Sequence, residues 1–310
     1  MAAPVPERIA RRRQEFRRAQ VRRRRLGFLG GVVLAAAIGM AGVILLIGSD
    51  GGGSKAVGSA SGRDSGGAGR ASENQATASP TGGAKHDSTW KQSKSPVPIL
   101  MYHVIGEPAG EVTYPDLYLS VDDFSDQVEW LDQNGFTAVT LIQVQNAWYE
   151  GGTLPDKPVV LSFDDGYLGQ YLDAMPILRR RGWAGQLNLK AEGSDLSIKQ
   201  VKKMIRAGWE IASHTITHPD LPSITAGQLE SELVDSKRIL EKDLGIEIIN
   251  FCYPAGQYDD TVVAAVEAAG YRGATTVDPG LAQRGEPFEL KRIRIDNGDG
   301  ASELEAKLGT

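Results

Sequence analysis

The chain has 310 residues, a formal net charge of −5 and one cysteine, Cys252, which excludes an intramolecular disulfide. The charge is unevenly spread: ten arginines and two glutamates precede residue 26, for +8, and residues 49–95 add +2, leaving −15 on everything from Pro96 onward. An acidic folded part of that kind repels phosphate backbones, so no nucleic-acid partner is expected for it.

Residues 1–26 form a basic head, and residues 27–47 read GFLGGVVLAAAIGMAGVILLI without a charge. About 20 apolar residues suffice for a helix to cross a hydrocarbon core, which is longer than the hydrophobic stretch of an ordinary signal peptide. A single transmembrane helix is therefore expected over 27–48, lying in the lipid bilayer. Arg22 to Arg25 flank it on the amino side, and arginine-rich flanks stay cytoplasmic, which places the rest of the chain outside the cell membrane as a single-pass protein. Small residues at 56–60 leave cleavage open, in which case the product is secreted. Residues 49–95 are more than half Gly, Ser and Ala, a composition that cannot bury a core and that implies a disordered linker. As a flexible coil it would span roughly 35 to 40 Å.

From residue 96 to residue 310 strands and helices alternate. A short apolar run starts at Ile99. Ser120 caps a helix reaching Asn134, with Gly135 as its stop, and 138–139 read as strand. Residues 159–163 form a buried strand, followed by a helix over 169–181 and a weak strand at 185–189. Ser197 caps a helix to Ala207, 210–213 is strand, and Thr225 opens a long helix to about Leu244. Residues 248–253 extend again, 259–269 is an amphipathic helix ended by Gly270, 274–276 is a short strand, 289–295 is the last strand, and a small helix begins at Ser302. About seven strand–helix units of this kind demand a parallel sheet, open or closed into a barrel, with function at the carboxyl ends of its strands.

Four constellations fall at such ends. Phe163-Asp164-Asp165-Gly166 puts two adjacent carboxylates after an apolar strand, tolerable where a cation neutralises one of them, although Asp-Asp-Gly also suits an ordinary turn. His214-Thr215-Ile216-Thr217-His218 places two imidazoles four residues apart, a spacing that lets both reach one metal. A lone histidine there is more often structural. Two histidines with a carboxylate from another strand make an open ligand set of the kind hydrolytic zinc sites use. Cys252-Tyr253-Pro254-Ala255-Gly256 runs from a strand into a turn whose N–H groups could face an oxyanion or could simply leave the sheet; Cys252 itself reads as a small packed residue. On the last strand Leu290, Arg292 and Arg294 share one face, so an arginine inside the barrel would need an acid such as Asp164 or Asp165, while Arg294 suits an exposed strand end equally well.

With these residues assembled, the stretch 98–294 resembles the polysaccharide deacetylases of carbohydrate esterase family 4. The resemblance rests on Phe163 to Gly166 and on His214 to His218, and it implies a distorted (β/α) barrel. By this similarity Asp165, His214 and His218 bind a divalent metal, usually zinc, Asp164 is the general base, and the Ala255 backbone N–H holds the oxyanion. The run from Ile99 to His103 is similar to the first strand of membrane-tethered and secreted members. The chain departs from the family at Cys252, where many members have arginine, at Ala255, where many have an aromatic residue, and in lacking a late histidine. His103 is then the remaining imidazole for protonating the leaving amine, and Arg292 stands in for the arginine that orients Asp164.

The activity this implies is removal of N-acetyl groups from an external N-acetylhexosamine polymer, peptidoglycan or an exopolysaccharide. The rival expectations are a surface module that binds glycan through Tyr102, Tyr167 and Tyr253 without hydrolysing it, and a hydrolase of O-acetyl esters or a small amide.

Overall fold

The computed structural model of the protein describes residues 88–309. The basic head, the apolar run at 27–47 and the linker up to residue 87 lie outside the described residues. Among the described ones no helix is long and apolar enough to cross a membrane. Packing begins upstream of Pro96: Lys91 bridges to Leu154, and the Trp148 indole donates to the Ser95 carbonyl at 3.0 Å.

Strand β1 (Ile99–Tyr102) is followed by β2 (Val104–Ile105) and β3 (Tyr118–Leu119), which pair only with each other, and by β4 (Thr137–Ala138). Then come β5 (Pro158–Asp164), β6 (Gln186–Leu189), β7 (Glu210–Ser213), β8 (Asn250–Cys252), β9 (Gly273–Pro279) and β10 (Leu290–Arg294). The sheet runs β5-β6-β7-β8-β9-β10-β1, and β1 pairs back onto β5 with Tyr102 opposite Phe163. Seven parallel strands thus close into a barrel, which resolves the choice between an open and a closed sheet. Strand β4 lies outside the ring, beside the first residues of β5.

Residues of period two divide the barrel wall. Leu161, Phe163, Leu187, Ile211, Phe251 and Ile293 face outward and join one apolar cluster with helix residues such as Leu131, Leu178, Val201 and Leu240. Fully burying one such side chain contributes about 1.5–3 kcal/mol. The alternate positions face inward and are polar: Ser162, Asp164, Gln186, Asn188, Glu210, Asn250, Thr275 and Arg292 are all buried.

The outer helices are α1 (Val121–Gln133), α3 (170–179), α4 (Ile198–Arg206), α5 (226–244) and α6 (Asp260–Ala268), with α7 (Ala301–Leu308) at the end. Helix α3 opens with the π-turn Gln170–Ala174 and continues as Met175–Arg179; α5 runs through Ala226–Glu230, the π-turn Ser231–Asp235 and Ser236–Leu244. Side-chain caps start α1, α4 and α5 where the sequence placed them. Ser120 accepts from the Asp123 N–H at 2.9 Å, and Ser197 and Thr225 form capping boxes with Gln200 and Gln228. Such a cap stabilises its helix by about 1 kcal/mol.

Helix α2 (Leu141–Tyr149) is not among the elements expected from the sequence, although Thr140 and Gln143 form a capping box at its start. It lies across the amino end of the barrel, where the Gln145 amide donates to Asn250 Oδ1 at 2.8 Å and the Ile142 N–H donates to Glu210 Oε2 at 2.9 Å. Gln145 is buried on the face that would otherwise be apolar, which breaks the helical pattern.

Candidate metal centre

The carboxyl end of the barrel gathers the motif residues. Asp165 leaves β5, His214 leaves β7, and His218 follows a tight loop; one ligand atom from each lies within 4.8 Å of the others. Both imidazoles turn Nε2 toward the same carboxylate oxygen, with Asp165 Oδ1 3.8 Å from His218 and 4.0 Å from His214. His214 Nδ1 lies 2.8 Å from the Cys252 carbonyl, an acceptor only, so Nδ1 donates there and Nε2 is the ring nitrogen left to face an ion. Burial, and then the neighbouring His214, lowers the pKa of His218, which favours its neutral ligand form. Two imidazoles and one carboxylate are a donor set that fits a divalent ion of the zinc type.

The backbone around this centre is strained. Asp165, Thr215, His218 and Ala255 have φ of 72°, 65°, 64° and 49°, the non-glycine residues with positive φ among the described residues. All four stand in the loops that carry the predicted site. Conformations of this sort cost on the order of 1–3 kcal/mol each and persist where the surroundings hold them. Gly166 also has positive φ, 77°, and a Cβ there would lie 2.3 Å from Ser194 Oγ.

The holding residues come from the two π-turns, a helix irregularity often found at functional sites. In α3 the Gln170 amide donates to the His103 carbonyl at 2.8 Å and to the Asp164 carbonyl at 2.6 Å, tying β1 to β5. In α5 the Glu232 carboxylate accepts from the Ile216 N–H at 2.6 Å, the Thr217 N–H at 3.0 Å and the Thr217 hydroxyl at 2.6 Å, clamping the loop between the two histidines. Neither residue belongs to a motif, so neither is visible in the linear pattern. Tyr167 is hydrogen-bonded to Asp165; burial and then that carboxylate push its phenol pKa up.

Asp164 sits one residue before the carboxylate of the metal set and points into the barrel. Arg292 grips it with two bonds, Nη1 to Oδ1 at 2.8 Å and Nη2 to Oδ2 at 2.9 Å, and Asn188 donates to Oδ1 at 2.6 Å. Burial alone would raise the Asp164 pKa, but Arg292, His103 and His214 outweigh it and hold the carboxyl well below its usual range. Arg292 is thus the interior arginine, while Arg294 is exposed and pairs with Asp296. His103 places Nε2 3.7 Å from Asp164 Oδ2; burial is the largest influence on it and lowers its pKa, so the imidazole is neutral at pH 7.

Asp164, His214 and Cys252 form a second close group. It does not suit an ion: burial pushes the Cys252 thiol up to about 12, and the Arg292 guanidinium already neutralises Asp164. Ala255 is the exposed residue of the turn Pro254–Gly256, which closes with Gly256 N–H to Tyr253 O and Gln257 N–H to Pro254 O, neither of which uses the Ala255 N–H.

The tyrosine platform expected for glycan stacking is corrected. Tyr102 is 1% exposed, stacked on Phe163 at 5.2 Å with its hydroxyl donating to Gln127. Tyr253 is 0% exposed, stacked on Tyr258 at 4.7 Å with its hydroxyl donating to the Phe288 carbonyl. Both rings take the outward phase of their strands and pack under the helices. Of the three, Tyr167 alone is partly open.

Residues 151–274 match the family model described as polysaccharide deacetylase. The chain is 31% identical over 228 residues to the putative polysaccharide deacetylase YxkH of Bacillus subtilis, covering 71% of this chain and 80% of that protein. It is 22% identical over 258 residues to the poly-beta-1,6-N-acetyl-D-glucosamine N-deacetylase of Escherichia coli, with 68% of this chain but 38% of that protein aligned. Among solved structures, the Streptococcus pyogenes deacetylase PplD in complex with acetate superposes with a TM-score of 0.64 at 27% identity, covering 69% of this chain and 99% of that one. The barrel, the motifs and these likenesses agree, and the chain belongs to the polysaccharide deacetylase family.

Proposed function

We propose that the protein is a metal-dependent hydrolase that removes N-acetyl groups from an extracellular N-acetylhexosamine polymer, peptidoglycan or an exopolysaccharide. The observation that carries this reading is the convergence of Asp165, His214 and His218 beside the Arg292-bound Asp164. A divalent ion held by the first three, zinc in our reading, supplies Lewis-acid polarisation of the amide carbonyl and lowers the pKa of water.

The chain's own residues do the rest. Asp164, kept ionised by Arg292, accepts the proton of the attacking water at Oδ2, the oxygen that faces His103. His103, neutral at rest, exchanges that proton with Asp164 and delivers it to the leaving amine. The Ala255 N–H, left over by its turn, donates to the developing oxyanion. A water-excluding floor comes from the buried Asn188, Ser162 and Cys252.

The polymer substrate is supported by the E. coli relative, whose name specifies N-deacetylation of a poly-N-acetylglucosamine. The uncharged run at 27–47 behind four arginines supports a membrane anchor, with residues 49–95 as a tether and the barrel outside. Release of acetate from an N-acetylglucosamine oligomer by the full-length chain, abolished by a chelator and restored by Zn²⁺, tests the activity. Chelator-resistant acetate release would remove the metal from the mechanism. Retention of the chain in carbonate-washed membranes, with the barrel open to external protease, tests the anchor.

A further inference from the structure

Lys190 belongs to none of the motifs and has no part in the hydrolytic steps above. It follows β6 directly, and its backbone is held level with His214: the His214 N–H donates to the Leu189 carbonyl and the Ala191 N–H to the Thr215 carbonyl, each at 3.0 Å. Its side chain, 19% exposed, brings Nζ to 3.3 Å from Asp165 Oδ1. That is the oxygen both histidine Nε2 atoms face, at 3.8 and 4.0 Å. An ammonium therefore sits on the anionic member of the ligand set, closer than either imidazole.

An ammonium and a divalent ion cannot share one carboxylate oxygen in a largely buried site without strong repulsion, because like charges a few ångströms apart are poorly screened there. Arg292 cannot play the same part toward Asp165, since its guanidinium is committed to Asp164. Lysine suits a displaceable role: its charge is compact and rides on a flexible four-carbon stem. We propose that Lys190 is a built-in counter-ion, one that neutralises and orients Asp165 in the metal-free protein and swings away when the divalent ion binds. The competition between the two cations sets the affinity of the centre. This inference rests on the metal-centre reading above.

The test is zinc affinity by chelator competition on the full-length chain, with thermal melts of the metal-free and zinc-saturated forms. Lys190→Met keeps the stem and removes the charge; it is expected to lower the Kd for zinc at least tenfold and to lower the melting temperature of the metal-free form alone. Lys190→Arg keeps the charge and is expected not to tighten binding. Lys190→Gln replaces the methionine variant if that chain does not fold, as judged by circular dichroism. A folded Lys190→Met or Lys190→Gln chain that binds zinc no more tightly than wild type overturns the counter-ion role while leaving the metal centre standing. Zinc binding that is undetectable in wild type, or unchanged by His214→Ala, overturns the metal centre and the inference with it.

Discussion

The two ends of the barrel each bury a carboxylate among polar side chains, and they treat it in opposite ways. At the carboxyl end Asp164 is clamped by the Arg292 guanidinium and stays ionised. At the amino end Glu210 meets only neutral donors: the Asn250 amide at 2.7 Å and the first backbone N–H groups of α2. Burial dominates there, and the Glu210 pKa is raised. One end stores a fixed negative charge beside strained loops and a ligand set; the other is a helix-capped plug. A buried carboxylate by itself therefore marks nothing. A buried carboxylate held ionised by a cation, next to open ligand atoms, marks the reactive end.

The largest expected difference is in turnover. Asp164→Asn should reduce acetate release by about 10²–10⁴-fold, the usual contribution of a general base, while Glu210→Gln stays within a fewfold of wild type. Comparable losses in both would dissolve the distinction between the ends. Next comes stability. Arg292→Met leaves Asp164 buried without its guanidinium partner, and urea denaturation should show a loss of about 3–5 kcal/mol; Glu210→Gln keeps one of the two acceptor oxygens and should cost less, about 1–3 kcal/mol. A mild Arg292→Met effect would mean that Asn188 and His103 together can carry the charge. Glu232→Gln loosens the loop between the histidines and should weaken zinc binding about 10-fold, in the range typical of groups behind a metal ligand. Isothermal titration would read this, and an unchanged Kd would make the clamp dispensable.

The smallest expected effect is in the pH dependence, and its sign separates the two ends. The Asp164 carboxyl titrates lower in the folded chain than its ordinary 3.8, so its contribution to stability is present above that pH and is lost as pH falls through the folded value. Glu210 titrates higher than its ordinary 4.5, so the folded state binds that proton more tightly and stability declines as pH rises from 4.5 through the folded value. Glu210→Gln should remove that decline and leave the acid limb in place, as measured by urea midpoints across pH.

Much of the fold was legible because its signals are local. Ser120, Ser197 and Thr225 cap helices within three residues of themselves, and the apolar run ending at Phe163 makes a strand wherever it lies. Helix α2 escaped because Gln145 interrupts its apolar face, and the justification for that residue lies in Asn250, more than a hundred residues away. The tyrosines misled for a related reason. Alternation says that Tyr102 and His103 point to opposite faces, and likewise Cys252 and Tyr253, but not which face is the inside. Glu232, Gln170 and Lys190 left no trace in the pattern, since a single polar residue on a helix or after a strand looks like solvated surface.

The sequence by itself determined the chemistry available: an Asp-Asp pair after one strand, a His-x-x-x-His after another, and the alternation of strands and helices, each encoded within a few neighbouring residues. Only the tertiary structure decided that the sheet closes, that Arg292 rather than Arg294 reaches Asp164 across 128 positions, and that Lys190 rests on the carboxylate facing both histidines. Those contacts depend on strand register and on β1 pairing back to β5, a condition on the whole ring that no local stretch of chain can express.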